Sequence, residues 1–362
     1  MKIAIITLVG NFNYGNRLQN LALQTILHDK LDAEVDNLTF YNRDFYEETK
    51  NSRPVLARFI RKIIHFRRSI ARKKQIKIKN KIFTDFKERN FNFVDVNSEN
   101  ADTIRNSYDF FVIGSDQVWN PIFTGKDNAM FAMFVPAEKV ISYAASFGIS
   151  RIPDQFVEYT RSGLKNISKI SVREQDGITI VKNLIGAEAE LVLDPTMLLT
   201  RSEWSEAASN ALLDFSISKP YVVVYVLGIM DKTKKNAIRD FANHHNFEIH
   251  TIMGDFFDKS AVVPDPLGFI KLIEHAQFVF TDSFHATVFS ILMNTPFKVF
   301  SRDNGEMNSR ILTLLENVKL PRELLYENDL NKIYTDMRLD GIDRQLTEQR
   351  VQSIGFLKRA LQ

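Results

Sequence analysis

Phe278-Val279-Phe280-Thr281-Asp282-Ser283-Phe284-His285, continuing to Met293, is the stretch whose reading decides the fold. The apolar run over 278–281 predicts a buried strand. Ser283 then stands where a helix would start, and apolar residues recur at helical spacing over 284–293. Strand, polar turn and helix thus follow one another within sixteen residues.

Moving outward, the same alternation repeats. Strands are expected over 221–227, 247–253 and 297–300, and helices over 232–243 and 267–276. Such alternation is the mark of a parallel sheet with right-handed crossovers, so the chain reads as α/β. In the first half, a strand over 2–9 ends in Gly10. A polar stretch from Asn11 to Asn16 precedes Leu18, Leu21, Ala22, Thr25 and Ile26 at helical spacing. Further strands are expected over 109–113, 140–143, 169–172 and 191–193. Each ends in a polar or small cluster: Gly114-Ser115-Asp116-Gln117, Ala144-Ala145-Ser146-Phe147-Gly148, Arg173-Glu174 and Asp194-Pro195. Ligands bind at strand carboxyl ends in such sheets, so these clusters predict the lining of a cleft.

A chain of 362 residues suits two domains. We expect one domain over 1–200, carrying a basic helical segment at 53–90, and a second over 201–340. A C-terminal helix over 341–362 is expected to pack back across the cleft between them. The boundary falls around 199–220, where a polar helix over 202–214 and Ser218-Lys219-Pro220 separate the two series.

The sequence contains no cysteine, which excludes disulfides, thiolate zinc sites and a cysteine nucleophile, and leaves the cytoplasm as the expected location. The apolar run over 3–9 is too short for a signal peptide, and no stretch approaches the ~18 apolar residues of a membrane span. Charge is unevenly placed: residues 51–90 hold 14 Lys/Arg against 2 Asp/Glu, so the rest is acidic. Interleaved with apolar residues, this segment suits either a helix lying on anionic lipid or a solvated arm. It lacks an RNA-binding motif, and no nucleic acid partner is expected. Gly10 and Gly15 do not make a phosphate-binding glycine fingerprint. His244 and His245 are adjacent and cannot share a metal from one helix face, so neither metal nor cofactor is expected.

Several motifs together resemble the bacterial polysaccharide pyruvyltransferases. They are Asn13-Tyr14-Gly15-Asn16-Arg17-Leu18-Gln19-Asn20, Gly114-Ser115-Asp116-Gln117-Val118-Trp119-Asn120, Tyr143-Ala144-Ala145-Ser146-Phe147-Gly148, Ser171-Val172-Arg173-Glu174, Leu193-Asp194-Pro195-Thr196 and Thr281-Asp282-Ser283-Phe284-His285. They occur in the family's order over roughly the first 300 residues. The chain departs by having Ala286 where the family often has glycine. The resemblance implies two Rossmann-like domains with mostly parallel sheets, similar to the GT-B glycosyltransferase architecture, with the active site between them. It also implies transfer of the enolpyruvyl unit of phosphoenolpyruvate to a sugar, commonly as a ketal, with release of phosphate. The acceptor would be a surface glycan or its lipid-linked precursor, and the basic segment 53–90 a contact with anionic membrane.

That reaction needs an anion site, an activated hydroxyl and a proton donor to the enol carbon. Ser283 at a helix start would favour an anion, and its plain alternative is an N-cap. His285 can exchange protons near neutral pH or be a packed, hydrogen-bonded residue. Arg173 offers a fork for phosphate or carboxylate, or a salt bridge to Glu174 or Asp176. Asp116 would hold a sugar hydroxyl or cap a turn; Trp119 would stack on a sugar face or fill the core. We therefore expect His285, Arg173 and Asp116 to be catalytic, and Asn13, Asn16, Arg17, Ser115, Gln117 and Ser283 to bind substrate. Arg302 and Arg310 lie beyond the last strand, where they would face the cleft or, as is commoner for arginines there, be solvated. Two other readings stay open: a nucleotide-sugar glycosyltransferase on the same architecture, and a non-catalytic glycan- or nucleic-acid-binding relative.

Overall fold

The computed structural model describes residues 1–9, 13–40, 69–211, 213, 219–253, 261–301, 308–321 and 328–362, without the side chains of 69–76 and 308–309. The first part of the basic segment, 53–68, and Arg302 lie outside the described residues, as do positions 10–12 of the first polar stretch.

The first sheet is built from β1 (Lys2–Ile6), β2 (Glu34–Thr39), β3 (Phe93–Asp95), β4 (Phe110–Ile113) and β5 (Val140–Ser142), in the order β3-β2-β1-β4-β5. All pairings are parallel. Bridges from Ile141 to Lys169 and from Ala145 to Val172 extend it to β6 (Ser171–Val172), which pairs with β7 (Glu190–Leu191). The resulting order, 3-2-1-4-5-6-7, begins as a doubly wound nucleotide-binding sheet does. Ile3 and Ile5 face one buried cluster while Ala4 and Ile6 face another, as expected of a parallel sheet covered on both sides.

The second sheet comprises β8 (Tyr221–Tyr225), β9 (Glu248–Thr251), β10 (Phe278–Thr281) and β11 (Phe297–Val299), ordered β11-β10-β8-β9 and wholly parallel. A bridge from Ile252 to Val262 adds one position beyond β9. Numbered from β8, this is again the order 3-2-1-4-5, with Val262 in third place. The fold therefore repeats one winding twice, and each sheet reverses strand order beside its first strand.

Two strands escaped the sequence reading, β2 and β3. In Glu34-Val35-Asp36-Asn37-Leu38-Thr39 the polar residues obscure the strand pattern, yet Asp36 and Asn37 are buried. They are tolerated because they are bonded: Asp36 accepts from the Tyr108 hydroxyl at 2.7 Å, and Asn37 Nδ2 donates to Gln24 Oε1 at 2.8 Å. The linker helix is shorter than expected, Arg201–Ala208, and opens on a capping box between Thr200 and Glu203.

One core joins the two sheets. The helix Tyr14–Leu31 covers the first sheet, yet its opening tyrosine reaches the second half: the Tyr14 ring stacks on Phe269 at 4.5 Å and its hydroxyl donates to the Pro264 carbonyl at 3.0 Å. The helix Ile342–Ala360 returns to the segment before the linker. Ser353 Oγ accepts from Leu193 N at 3.0 Å, and Arg350 donates to the carbonyls of Met197 at 2.8 Å and Leu199 at 3.3 Å.

Candidate active site

The carboxyl ends of the strands supply the site. At the reversal in the first sheet, Thr7 Oγ1 follows β1 and donates to the Ser115 carbonyl, which follows β4, at 2.9 Å. Ser115 Oγ then donates to Asp194 Oδ2 at 2.9 Å. Asp194 also caps the short helix Pro195–Leu198, accepting at Oδ1 from Thr196 N at 3.0 Å.

Asp194 is the hub. Its Oδ2 accepts from Arg173 Nη1 at 2.6 Å and lies 3.6 Å from His285 Nε2. The second distance is that of an ion pair, too long for a hydrogen bond, and His285 Nε2 has no hydrogen-bond partner among the described residues. Burial alone would push the Asp194 carboxyl up; its neighbours His285 and Arg173, with the Thr196 bond, outweigh it and hold the group far below the usual range.

Arg173 is 3% exposed. Burial works against its charge, but the carboxylates of Asp194, Asp116 and Glu174 hold its pKa above the ordinary value. The pairing is unequal. Nη2 is 4.0 Å from Asp116 and Nε is 4.0 Å from Glu174, so neither nitrogen has a hydrogen-bond partner among the described residues. The guanidinium also lies 4.5 Å from the centre of the Phe284 ring. The sequence reading offered Glu174 or Asp176 as the salt-bridge alternative; the principal partner is instead Asp194, twenty-one residues away.

Glu174 fixes the neighbouring turn. Its Oε1 accepts from Ser146 Oγ at 2.9 Å, Phe147 N at 2.9 Å and Gly148 N at 3.3 Å. Asp116 adopts a φ of 78°, unusual for a residue with a Cβ, and accepts from its neighbour Gln117 N at 2.8 Å. It is the most open member of the cluster, its side chain 15% exposed against 2% for Arg173 and 8% for His285.

The sequence reading put a polar stretch from Asn11 to Asn16 ahead of the helix, and the structure corrects this by starting the helix at Tyr14. Asn13 is the N-cap, accepting from Gly15 N at 3.0 Å, and Asn16 and Arg17 lie in the first helical turn. Asn16 Nδ2 reaches Asp116 Oδ2 at 3.3 Å, while Arg17 Nη2 donates to the Val9 carbonyl at 2.6 Å. Gln117 is engaged elsewhere: its Oε1 accepts from Asn120 Nδ2 at 2.9 Å, close against Gly148. Trp119 is buried, stacked on Phe131 with its Nε1 donating to the Met130 carbonyl at 3.0 Å, which rules out the sugar-stacking alternative here.

Ser283 caps the helix Phe284–Leu292, accepting from Ala286 N at 3.5 Å. Just before it, Asp282 accepts from Leu227 N and Gly228 N, both at 2.7 Å, clamping the reversal of the second sheet. The structure thus brings together His285, Arg173, Asp116, Asn16 and Ser115, with Ser283 at the head of the same helix. The sequence reading committed to neither Asp194, Glu174 nor Asp282. The available signal was position: each is an acid directly after a strand or in its closing cluster, where a buried carboxylate requires several donors. Arg310, for which solvent was the commoner expectation and the cleft the other, is 3% exposed. No group of three or more metal-ligating side chains occurs among the described residues, and none of the described helices is long and apolar enough to cross a membrane.

Two doubly wound parallel sheets sharing one core, with a polar network at their carboxyl ends, define an α/β protein of the GT-B type. Similar solved structures include a Listeria monocytogenes protein assigned as a UDP-N-acetylglucosamine 2-epimerase, at 11% identity and TM-score 0.53 over 96% of this chain and 91% of that one. Another is the Methanocaldococcus jannaschii UDP-GlcNAc 2-epimerase in complex with UDP-GlcNAc and UDP, at 13% identity and TM-score 0.50 over 97% and 99%. At such identities the likeness is one of fold. The polysaccharide pyruvyl transferase family model matches residues 13–304, and the chain belongs to that family. It is accordingly a transferase. No curated protein matches the chain.

Proposed function

We propose that the chain transfers the enolpyruvyl unit of phosphoenolpyruvate to two hydroxyls of a glycan, forming a ketal and releasing phosphate. The observation that carries this reading is Arg173: a buried guanidinium anchored through one nitrogen to Asp194, the carboxylate that His285 also faces, with two further nitrogens lacking hydrogen-bond partners among the described residues. A buried donor without an acceptor costs about 1–3 kcal/mol, which an incoming anion would recover.

In this reading Arg173 and the Ser283 helix start hold the phosphate, while Asn13, Asn16, Arg17, Ser115 and Gln117 shape the donor and acceptor positions. A sugar hydroxyl oxygen bonds to C2 of the donor as its proton passes to Asp116. His285 delivers a proton to C3, turning the methylene into a methyl group. A second hydroxyl then attacks C2 as its proton passes to His285, restoring it. The C2–O bond to phosphate breaks, and phosphate leaves with the electron pair, taking up the proton held by Asp116. Substrates and products balance as diol plus phosphoenolpyruvate to ketal plus phosphate. We place the work in surface-glycan assembly in the cytoplasm, on a free or lipid-linked acceptor, with segment 53–90 against anionic lipid.

The test is calorimetric titration with phosphoenolpyruvate and with UDP-GlcNAc, followed by phosphate release with a panel of glycans. Saturable binding of phosphoenolpyruvate, lost in Arg173→Gln, is expected. Binding of UDP-GlcNAc in its place would turn the reading toward a nucleotide-sugar transferase.

A further inference from the structure

The donor proposed above carries two anionic groups, a phosphate and a carboxylate, and Arg173 is already shared with Asp194. Around Arg173 stand three carboxylates, those of Asp194, Asp116 and Glu174. A second cation is needed before a polyanion can be buried there, because an unpaired carboxylate in a desolvated site is strongly unfavourable. The motif Thr281-Asp282-Ser283-Phe284-His285 contributes no fixed positive charge.

The helix Asn308–Asn317 can supply it. This helix packs on two others, Phe284–Leu292, which contains His285, and Gln175–Ile185, which starts directly after Arg173 and Glu174. It therefore straddles the two motifs that hold the anion site. From it Arg310 extends, 3% exposed, with its guanidinium 6.0 Å from the centre of the Phe284 ring. Arg173 is 4.5 Å from the centre of that same ring. One phenyl group thus spaces two buried guanidinium groups brought from opposite halves of the chain.

Resting on the phosphoenolpyruvate reading, we propose that Arg310 is the donor's carboxylate-binding residue, with Arg173 and the Ser283 helix start taking the phosphate. Phe284 acts as the spacer that sets the distance between the two anion positions. A guanidinium suits this role because its planar fork matches a carboxylate with two parallel N–H bonds.

The test compares three ligands by calorimetry on the full chain: phosphoenolpyruvate, inorganic phosphate and pyruvate. In Arg310→Gln, affinity for phosphoenolpyruvate and pyruvate should fall by about tenfold or more, the loss of a charge-assisted bond, while inorganic phosphate binds as before. Arg310→Lys, which keeps the charge but not the fork, should lose less on the same two ligands, and it carries the test if the glutamine variant does not fold. Equal losses for phosphate and pyruvate, or unchanged phosphoenolpyruvate binding, would overturn the assignment while leaving the broader reading intact. A wild-type protein that does not bind phosphoenolpyruvate would instead remove the reading on which the assignment rests.

Discussion

Gly15 and His285 touch through bare backbone: a methyl group on Gly15 would stand 2.0 Å from Nδ1 of the imidazole. One residue belongs to the first helix of the chain and the other to the motif after β10, so this contact sets how closely the two halves approach. Replacing glycine by alanine within a helix ordinarily stabilises by about 1 kcal/mol. Here the sign should reverse. Gly15→Ala is expected to cost about 1–3 kcal/mol in urea denaturation, through overpacking. Gly15→Ala combined with His285→Ala should recover part of that loss, since the second change removes the obstructing ring.

Asp194→Asn leaves Arg173 buried without its main counter-charge, a change expected to cost about 3–5 kcal/mol. The pH dependence follows from the depressed carboxyl. A lowered folded-state pKa gives stability that is fully present above the unfolded value, ~3.9, and is lost as pH falls below it. The gap in denaturation midpoint between wild type and variant should therefore be widest near neutrality and narrow below about pH 4. A gap that stays constant across that range would show that the loss is one of packing instead of charge.

Asp282→Ala strands two backbone N–H groups, those of Leu227 and Gly228, which it now satisfies at 2.7 Å each. We expect a loss of about 1–3 kcal/mol. Amide hydrogen exchange should quicken at those two positions while the interior of β8 stays protected.

Gly148 has a φ of 65°, and a Cβ there would stand 2.0 Å from Gln117 Oε1. Gly148→Ala should destabilise by about 1–3 kcal/mol, combining unfavourable backbone with displacement of Gln117. Substituting Gln117 by alanine in the same chain should relieve only the steric share.

The second half was legible because its central strands, Tyr221–Tyr225 and Phe278–Thr281, are almost entirely apolar and its helices keep a regular period. The strand Glu34–Thr39 was not, because its buried polar residues find partners far along the chain, Tyr108 and Gln24, that no local pattern announces. The site divides in the same way. His285, Arg173 and Asp116 stand at strand ends and could be named from position and resemblance. Asp194 was read only as part of the cluster closing a strand; its role as hub depends on residues 115, 173 and 285 converging, which only the tertiary fold produces. Arg310 could not be decided between cleft and solvent because nothing nearby in sequence indicates that its helix packs against two others.

The hydrogen bond from Leu193 N to Ser353 Oγ also has a bearing on when the site comes into being. The residue beside Asp194 is secured by a helix synthesised 160 positions later. A ribosome that has just released Arg173 and Asp194 has made the charges but not the clasp that holds them, and His285 has yet to be translated. Catalytic competence should therefore appear only after Ser353 has been added, and a chain that stops short of it would carry no working fragment of the enzyme.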